Sequence, residues 1–168
     1  MKDKIRDNEL LQIFVAGQIS DRDLERRAEE YFAKDGILDV NLYVLSPDFK
    51  GFDAGFSAQG FLNSDLLILP QSLVEKYAAY AFALDGIVTL PDDVETYSID
   101  GKIYAVKVGR VNPEGYTPLY GFGWIDERDE DMYVLLSKSQ NIGKLNPDGN
   151  ANDKHALQLL QMLLNNAI

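Results

Sequence analysis

The chain's 168 residues, 46% hydrophobic and 26% charged, match one ordered globular domain and are too few for two ordinary ones. Its 16 basic and 27 acidic residues give a net charge of −11, which repels nucleic-acid phosphates and anionic lipid heads, and no basic stripe overrides that field. Cysteine is absent, which excludes disulfides, thiol catalysis and Cys-ligated zinc, and no run approaches the roughly 20 apolar residues of a membrane-spanning helix.

Met1 to Asn8 is charged and lacks the apolar centre of an export signal, so residues 1–9 are expected to form a flexible lead. Leu11 to Ala16 is an apolar run ended by Gly17 and predicts a buried strand. Ser20 is the expected N-cap of the helix that follows, with Asp23 at the third helical position and Ile19 and Leu24 as a hydrophobic staple. Leu24, Ala28, Tyr31 and Phe32 recur at helical spacing, and Gly36 supplies the stop. Val40 to Leu45, closed by Ser46-Pro47, predicts a second strand and completes a right-handed β-α-β unit.

Residues 53–63 are expected to hold a short helix or an irregular segment, with Phe52, Phe56 and Phe61 packed inward. Leu66 to Leu69 predicts a third buried strand that stops at Pro70. Ser72 to Glu75 has the form of a capping box, opening a helix that carries Leu73, Tyr77, Tyr80, Ala81 and Leu84 and ends at Asp85-Gly86. Glu95 to Ile99 and Lys102 to Val108 flank Asp100-Gly101, the signature of a type I′ hairpin, with Tyr97 expected opposite Tyr104. A second antiparallel pair is expected between Leu119–Ile125 and Met132–Leu136, around an acidic tip. Ala156, Leu159, Leu160 and Leu163 predict an amphipathic helix docked on the body. The expected fold class is α/β: one domain over residues 1–168, with a mixed, mostly parallel sheet flanked by helices and antiparallel hairpins in the C-terminal half.

This order of elements resembles the first lobe of type II extracytoplasmic solute-binding proteins. Two stretches carry the resemblance beyond the order. Asn63-Ser64-Asp65-Leu66-Leu67-Ile68-Leu69 is similar to the family's segment in which an aspartate precedes the third strand. Leu84-Asp85-Gly86-Ile87, followed by Tyr97-Ser98-Ile99-Asp100-Gly101-Lys102-Ile103-Tyr104-Ala105-Val106, is similar to its leucine-aspartate and aspartate-glycine-lysine-x-tyrosine stretch. The match runs from Leu11 to Val108. Lys107 and Val108 continue the strand where a family member usually places proline, and no second lobe of similar size follows. The resemblance implies a periplasmic-binding-protein-like lobe and favours an extracytoplasmic location, with signal or anchor outside this sequence, over a cytoplasmic one.

In an open parallel sheet, ligands sit outside the carboxyl ends of the strands. That rule selects Gly17, Gln18 and Ser20 after the first strand, Ser46 after the second, and Pro70, Gln71 and Ser72 after the third. Ser20 and Ser72 are also accounted for as ordinary N-caps. Tyr116, Tyr120, Phe122 and Trp124 form an aromatic cluster in which core packing outweighs ligand stacking, and Tyr120 is kept as a ligand-binding candidate. The crowded acids Asp126, Glu127, Asp129, Glu130 and Asp131 read as a solvated tip, since the calcium-loop pattern is absent. Asp148 to Asn152 reads as a turn leading to a helix cap.

The lone histidine, His155, excludes a triad of the usual form and is expected on a helix in a surface or packing role. No catalytic residue, metal site or cofactor is expected, and no Gly-rich phosphate motif is present. The expected function is a non-enzymatic recognition module binding a small polar solute or a protein partner at the strand carboxyl ends. The alternative is a structural or assembly domain of the bacterial cell envelope that kept the fold and lost the pocket. An enzyme using carboxylates such as Asp65 or Asp85 ranks third.

Overall fold

The structure is a computed structural model that describes residues 10–37, 39–61, 63–126, 128–137 and 151–168, the backbone alone at 61 and 151–154. The expected lead at 1–9, Glu127 and most of the turn at 148–152 lie outside the described residues.

Seven strands form one mixed sheet in the order β2-β1-β3-β7-β5-β4, with β6 paired to β5. β1 (Leu10–Val15) pairs in parallel with β2 (Asp39–Val44) and with β3 (Leu66–Pro70). β4 (Thr96–Ile99), β5 (Lys102–Asn112), β6 (Gly115–Pro118) and β7 (Met132–Leu136) make only antiparallel pairs. The α/β class follows directly from the residue pattern. β1 and β3 are buried on both sides, as near-continuous apolar runs require.

Side chains alternate between two apolar layers. Leu11, Ile13 and Val15 of β1 face α1 (Asp23–Phe32) and α4 (Ala151–Leu164), where Leu24, Ala28, Phe32, Leu159, Leu160 and Leu163 are fully buried. Phe14 and Ala16 face the other way, onto Phe52 of α2 (Phe52–Gly55), Phe56 of the π-turn that follows at Phe56–Phe61, and Val74 of α3 (Gln71–Tyr77). Phe14 meets Phe56 with ring centroids 5.2 Å apart. Of the three phenylalanines expected inward, Phe52 and Phe56 are buried, and the side chain of Phe61 lies outside the described residues. His155 is buried edge-on against Phe32, with Nε2 3.8 Å from the Asp35 carboxylate. Among the described residues no helix is long and apolar enough to cross a membrane.

Several local expectations need correction. α1 begins at Asp23 rather than after Ser20, because Ile19 bridges Ile125 and the Ser20 N–H and hydroxyl both donate to the Trp124 carbonyl. The Asp21 carboxylate instead accepts the Asp23 N–H at 2.8 Å. α3 starts two residues earlier than a Ser72 cap would allow, directly on Pro70. It ends at Tyr77, and Ala81 leaves the helical path to bridge Ser137. Gly36 does close the first helix, at φ 88°. Asp100 and Gly101 both have positive φ (51° and 80°), as a type I′ turn demands. A bulge beyond that turn pairs Tyr97 with Ala105 rather than Tyr104. Residues 119–125 form turns instead of a strand, and β7 finds its partners in β3 and β5.

Candidate functional site

The connection through α1 carries the chain from β1 outward to β2, and the connection through α2 brings it back past β1 to β3. The two connections pack on opposite faces of the sheet and therefore diverge at the carboxyl ends of β1 and β3, the position where such sheets open a crevice. Gly17 and Gln18 leave β1 there, and Gln71 leaves β3.

The acidic segment before β7 lies across these strand ends rather than standing off in solvent. Its Asp126 N–H donates to the Gln18 carbonyl at 2.9 Å, and the Gln71 N–H donates to the Asp131 carbonyl at 2.9 Å. The Ser72 N–H and hydroxyl both donate to Glu130, at 3.1 and 3.2 Å. Arg128 is the cation embedded in this segment. Its Cδ lies 3.2 Å from where a Gly17 side chain would begin, so Gly17 makes the space in which the arginine stem rests.

A cleft of about 700 Å³ opens above this point. Gln18 and Arg128 line it from the strand ends, Asp126 and Asp129 from the crossing segment, Asp48 from the loop after β2, and Val111 and Gly115 from the β5–β6 hairpin. A second cleft, of about 440 Å³, shares Val111 and Asp129 and reaches Gln71 and Ser72. A third, of about 380 Å³, lies beyond the Ser20–Trp124 contact and takes in Ser20, Arg27, Tyr120 and Trp124.

The side chain of Arg128 is only 11% exposed, and its carboxylate neighbour Asp129 stands 3.8 Å from Nη2, beyond hydrogen-bond reach. Its Nε is buried without a hydrogen-bond partner. Leaving such a donor unmatched costs about 1–3 kcal/mol, more for a charged group. The buried hydroxyl of Tyr116, on the neighbouring hairpin, also lacks a partner. Burial pushes its pKa up to about 12 against the opposing pull of Arg128, so the phenol remains a neutral donor.

Behind the cleft, Lys107 of β5 is clamped between Glu95 (2.5 Å) and Asp131 (2.9 Å) and stands 5.8 Å from the centroid of the Tyr133 ring. Burial disfavours its charge, but the two carboxylates outweigh that effect and its pKa rises. The Lys107 ammonium holds Glu95 below the ordinary carboxylate range despite partial desolvation. Burial opposes the charge of Asp131 too, yet the Val111 N–H and Lys107 lower its pKa. Glu95 also pairs with Arg110.

The expected site residues are thus distributed rather than gathered into one pocket. Gln18 lines the 700 Å³ cleft, with Gly17 beneath its arginine; Ser46 accepts the Asp48 N–H at 3.3 Å and so shapes its rim. Gln71 and Ser72 line the second cleft, and Ser20 and Tyr120 the third. Pro70 is buried opposite Met132 and lines none of the three. Phe122 and Trp124 are core residues, as expected, while Tyr120 stays half-buried at φ 54°. Asp65 and Asp85 have backbone roles: Asp65 accepts the Gln12 N–H at 2.8 Å and Asp85 the Ile103 N–H at 2.7 Å. Among the described residues no group of three or more His, Asp or Glu side chains could hold a metal ion.

Sequence reasoning missed Arg128, Asp48 and the hairpin residues. A signal for Arg128 was present: it is the one cation in Asp126-Glu127-Arg128-Asp129-Glu130-Asp131. Reading that stretch as a uniform acidic run hid it.

A solved structure, the maltose/maltodextrin-binding domain MalE from Bdellovibrio bacteriovorus bound to maltotriose, is similar over 60% of this chain and 28% of its own, with 19% identity and a TM-score of 0.38. No protein-family model matches the sequence, and no curated protein is similar to it.

Proposed function

We propose that this chain is a non-enzymatic recognition module that binds a small polar ligand in the cleft at the carboxyl ends of β1 and β3. The observation that carries the reading is the 700 Å³ cleft lined by Gln18 and Arg128 at the point where the strand connections diverge. The resemblance of the element order to a solute-binding lobe supports it. The deciding experiment is a thermal-shift panel of amino acids, sugars, oligopeptides and inorganic ions, followed by calorimetry on any hit. A rise in melting temperature that saturates with ligand is expected. No shift across the whole panel overturns the reading.

The crossing of the strand ends by residues 126–131 favours a second reading, an assembly domain whose crevice is roofed over. Light scattering that shows a stable dimer, with no ligand response, would support that alternative. A monomer that binds a panel member refutes it.

A further inference from the structure

We propose that Arg22, Glu25 and Glu29 seal the outer edge of β2 and so keep a second copy of this chain from adding a strand to the sheet there. The inference is independent of the ligand-binding reading, because it concerns a sheet edge and none of the clefts. Among the described residues β2 and β4 are the outer strands of the sheet path. An outer strand presents unpaired N–H and C=O groups that can template pairing with another chain. β4 is poorly suited to that, since it has four residues and its pairing with β5 carries a bulge. β2 has no such defence in its own sequence. Val40-Asn41-Leu42-Tyr43-Val44-Leu45 holds no charge, proline or glycine and is rich in β-formers, the composition of segments that stack on copies of themselves.

The defence comes from α1. Pairing with β1 turns alternate peptide groups of β2 inward, as the Leu45 N–H on the Val15 carbonyl shows, and leaves those of Val40 and Leu42 facing out. The Val40 N–H donates to Glu29 Oε1 at 3.1 Å, and the Leu42 N–H donates to Glu25 Oε2 at 3.2 Å. Arg22, just ahead of α1, donates to the Leu42 carbonyl and is paired with the same Glu25 carboxylate. Leu42 therefore meets one acceptor and one donor held side by side, as it would on the facing residue of an antiparallel strand. The spacings match as well. Residues four apart on a helix lie about 6 Å apart along its axis, and residues two apart on a strand about 6.6 Å. Glu25 and Glu29 thus reach Leu42 and Val40 in step, in the reverse order that a helix running against the strand requires. Burial raises the pKa of Glu29 and the adjacent Asp39 and Glu25 add to the rise, while the Val40 N–H opposes it. Like charges are gathered on this edge, and the outward N–H groups of β2 are the donors that hold them.

The test uses the full chain and two double variants that change its charge equally. Glu25→Ala with Glu29→Ala removes both acceptors, whereas Glu25→Gln with Glu29→Gln keeps an acceptor oxygen in each place. Light scattering over a concentration series is expected to give the alanine variant about twice the parent's mass or more, while the glutamine variant keeps the parent's mass. Circular-dichroism melts establish that both variants fold. A folded alanine variant with the parent's mass overturns the proposal. A glutamine variant that associates as strongly as the alanine one overturns it too, since loss of charge then suffices. Hydrogen exchange on the parent gives a second readout that needs no variant to fold. The Val40 and Leu42 amides are expected to exchange at least about tenfold more slowly than in an unstructured chain. Exchange at the unstructured rate would show an open edge and overturn the proposal.

Discussion

Gly109 of β5 has a neighbour that explains why no larger residue stands there. A Cβ at this position would lie 1.8 Å from the Tyr116 hydroxyl and 2.3 Å from Cζ, so the phenol occupies the volume of the absent side chain. Gly109→Ala should expel the ring and destabilise the protein by about 1–3 kcal/mol, the usual cost of overpacking, measured by urea unfolding. Tyr116→Phe keeps the ring and removes only a buried hydroxyl with no partner. It should be neutral or slightly stabilising at pH 7. The same substitution has a signature at high pH. The folded pKa of Tyr116, raised to about 12, lies above the unfolded value, so its contribution is intact below about pH 10 and is lost as pH rises toward the folded value. Tyr116→Phe should flatten that alkaline decline, and a decline of unchanged slope would remove Tyr116 as its source.

Among the elements, β5 and β7 are joined by charge as well as by the sheet ladder. Lys107 on β5 reaches Asp131 just ahead of β7 and Glu95 just ahead of β4. Both carboxylates have folded pKa values below their unfolded ones, so their contribution is present above about pH 4 and is lost as pH falls through the depressed values. Lys107→Met should cost about 1.5–3 kcal/mol at neutral pH, the range for hydrogen bonds to charged groups, and should flatten the acid limb of the stability profile. Acid unfolding that follows the parent curve would show that the clamp contributes nothing. This clamp marks the limit of what the sequence made legible. The apolar runs of β1, β2 and β3, the Gly36 stop, the Asp100-Gly101 turn and the Leu159-Leu160-Leu163 stripe all rest on local pattern, and all appear where that pattern puts them. Ser20 and Ser72 failed as caps because tertiary contacts moved the helix starts: Ser20 is held outside α1 on the Trp124 carbonyl, and Ser72 lies inside α3 with its donors on the Glu130 carboxylate. Residues 119–125 failed as a strand because no edge was left for them once β7 had paired with β3 and β5. The candidate cleft was half visible. Strand ends announce Gly17 and Gln18, but Arg128 and Asp48 reach the same place through tertiary contacts that spacing does not encode.

At the scale of the whole molecule, a net charge of −11 on 168 residues works against compaction. Raising sodium chloride from about 10 to about 200 mM shortens the screening length from roughly 30 Å to under 10 Å and should raise the melting temperature. A melting temperature that falls instead would mean that attractive pairs such as Arg26–Asp23 and Lys107–Asp131 outweigh the repulsion. The strand order carries a different consequence, for synthesis rather than for the finished fold. Among the described residues β7 is the last strand, yet it sits in the middle of the sheet, between β3 and β5. Until Met132 to Leu136 has left the ribosome, β3 and β5 lack the strand that joins them in the finished sheet, and the fully apolar β3 is the more adhesive of the two unpaired edges. Closing the sheet is thus an insertion between two existing neighbours rather than an addition at an outer edge.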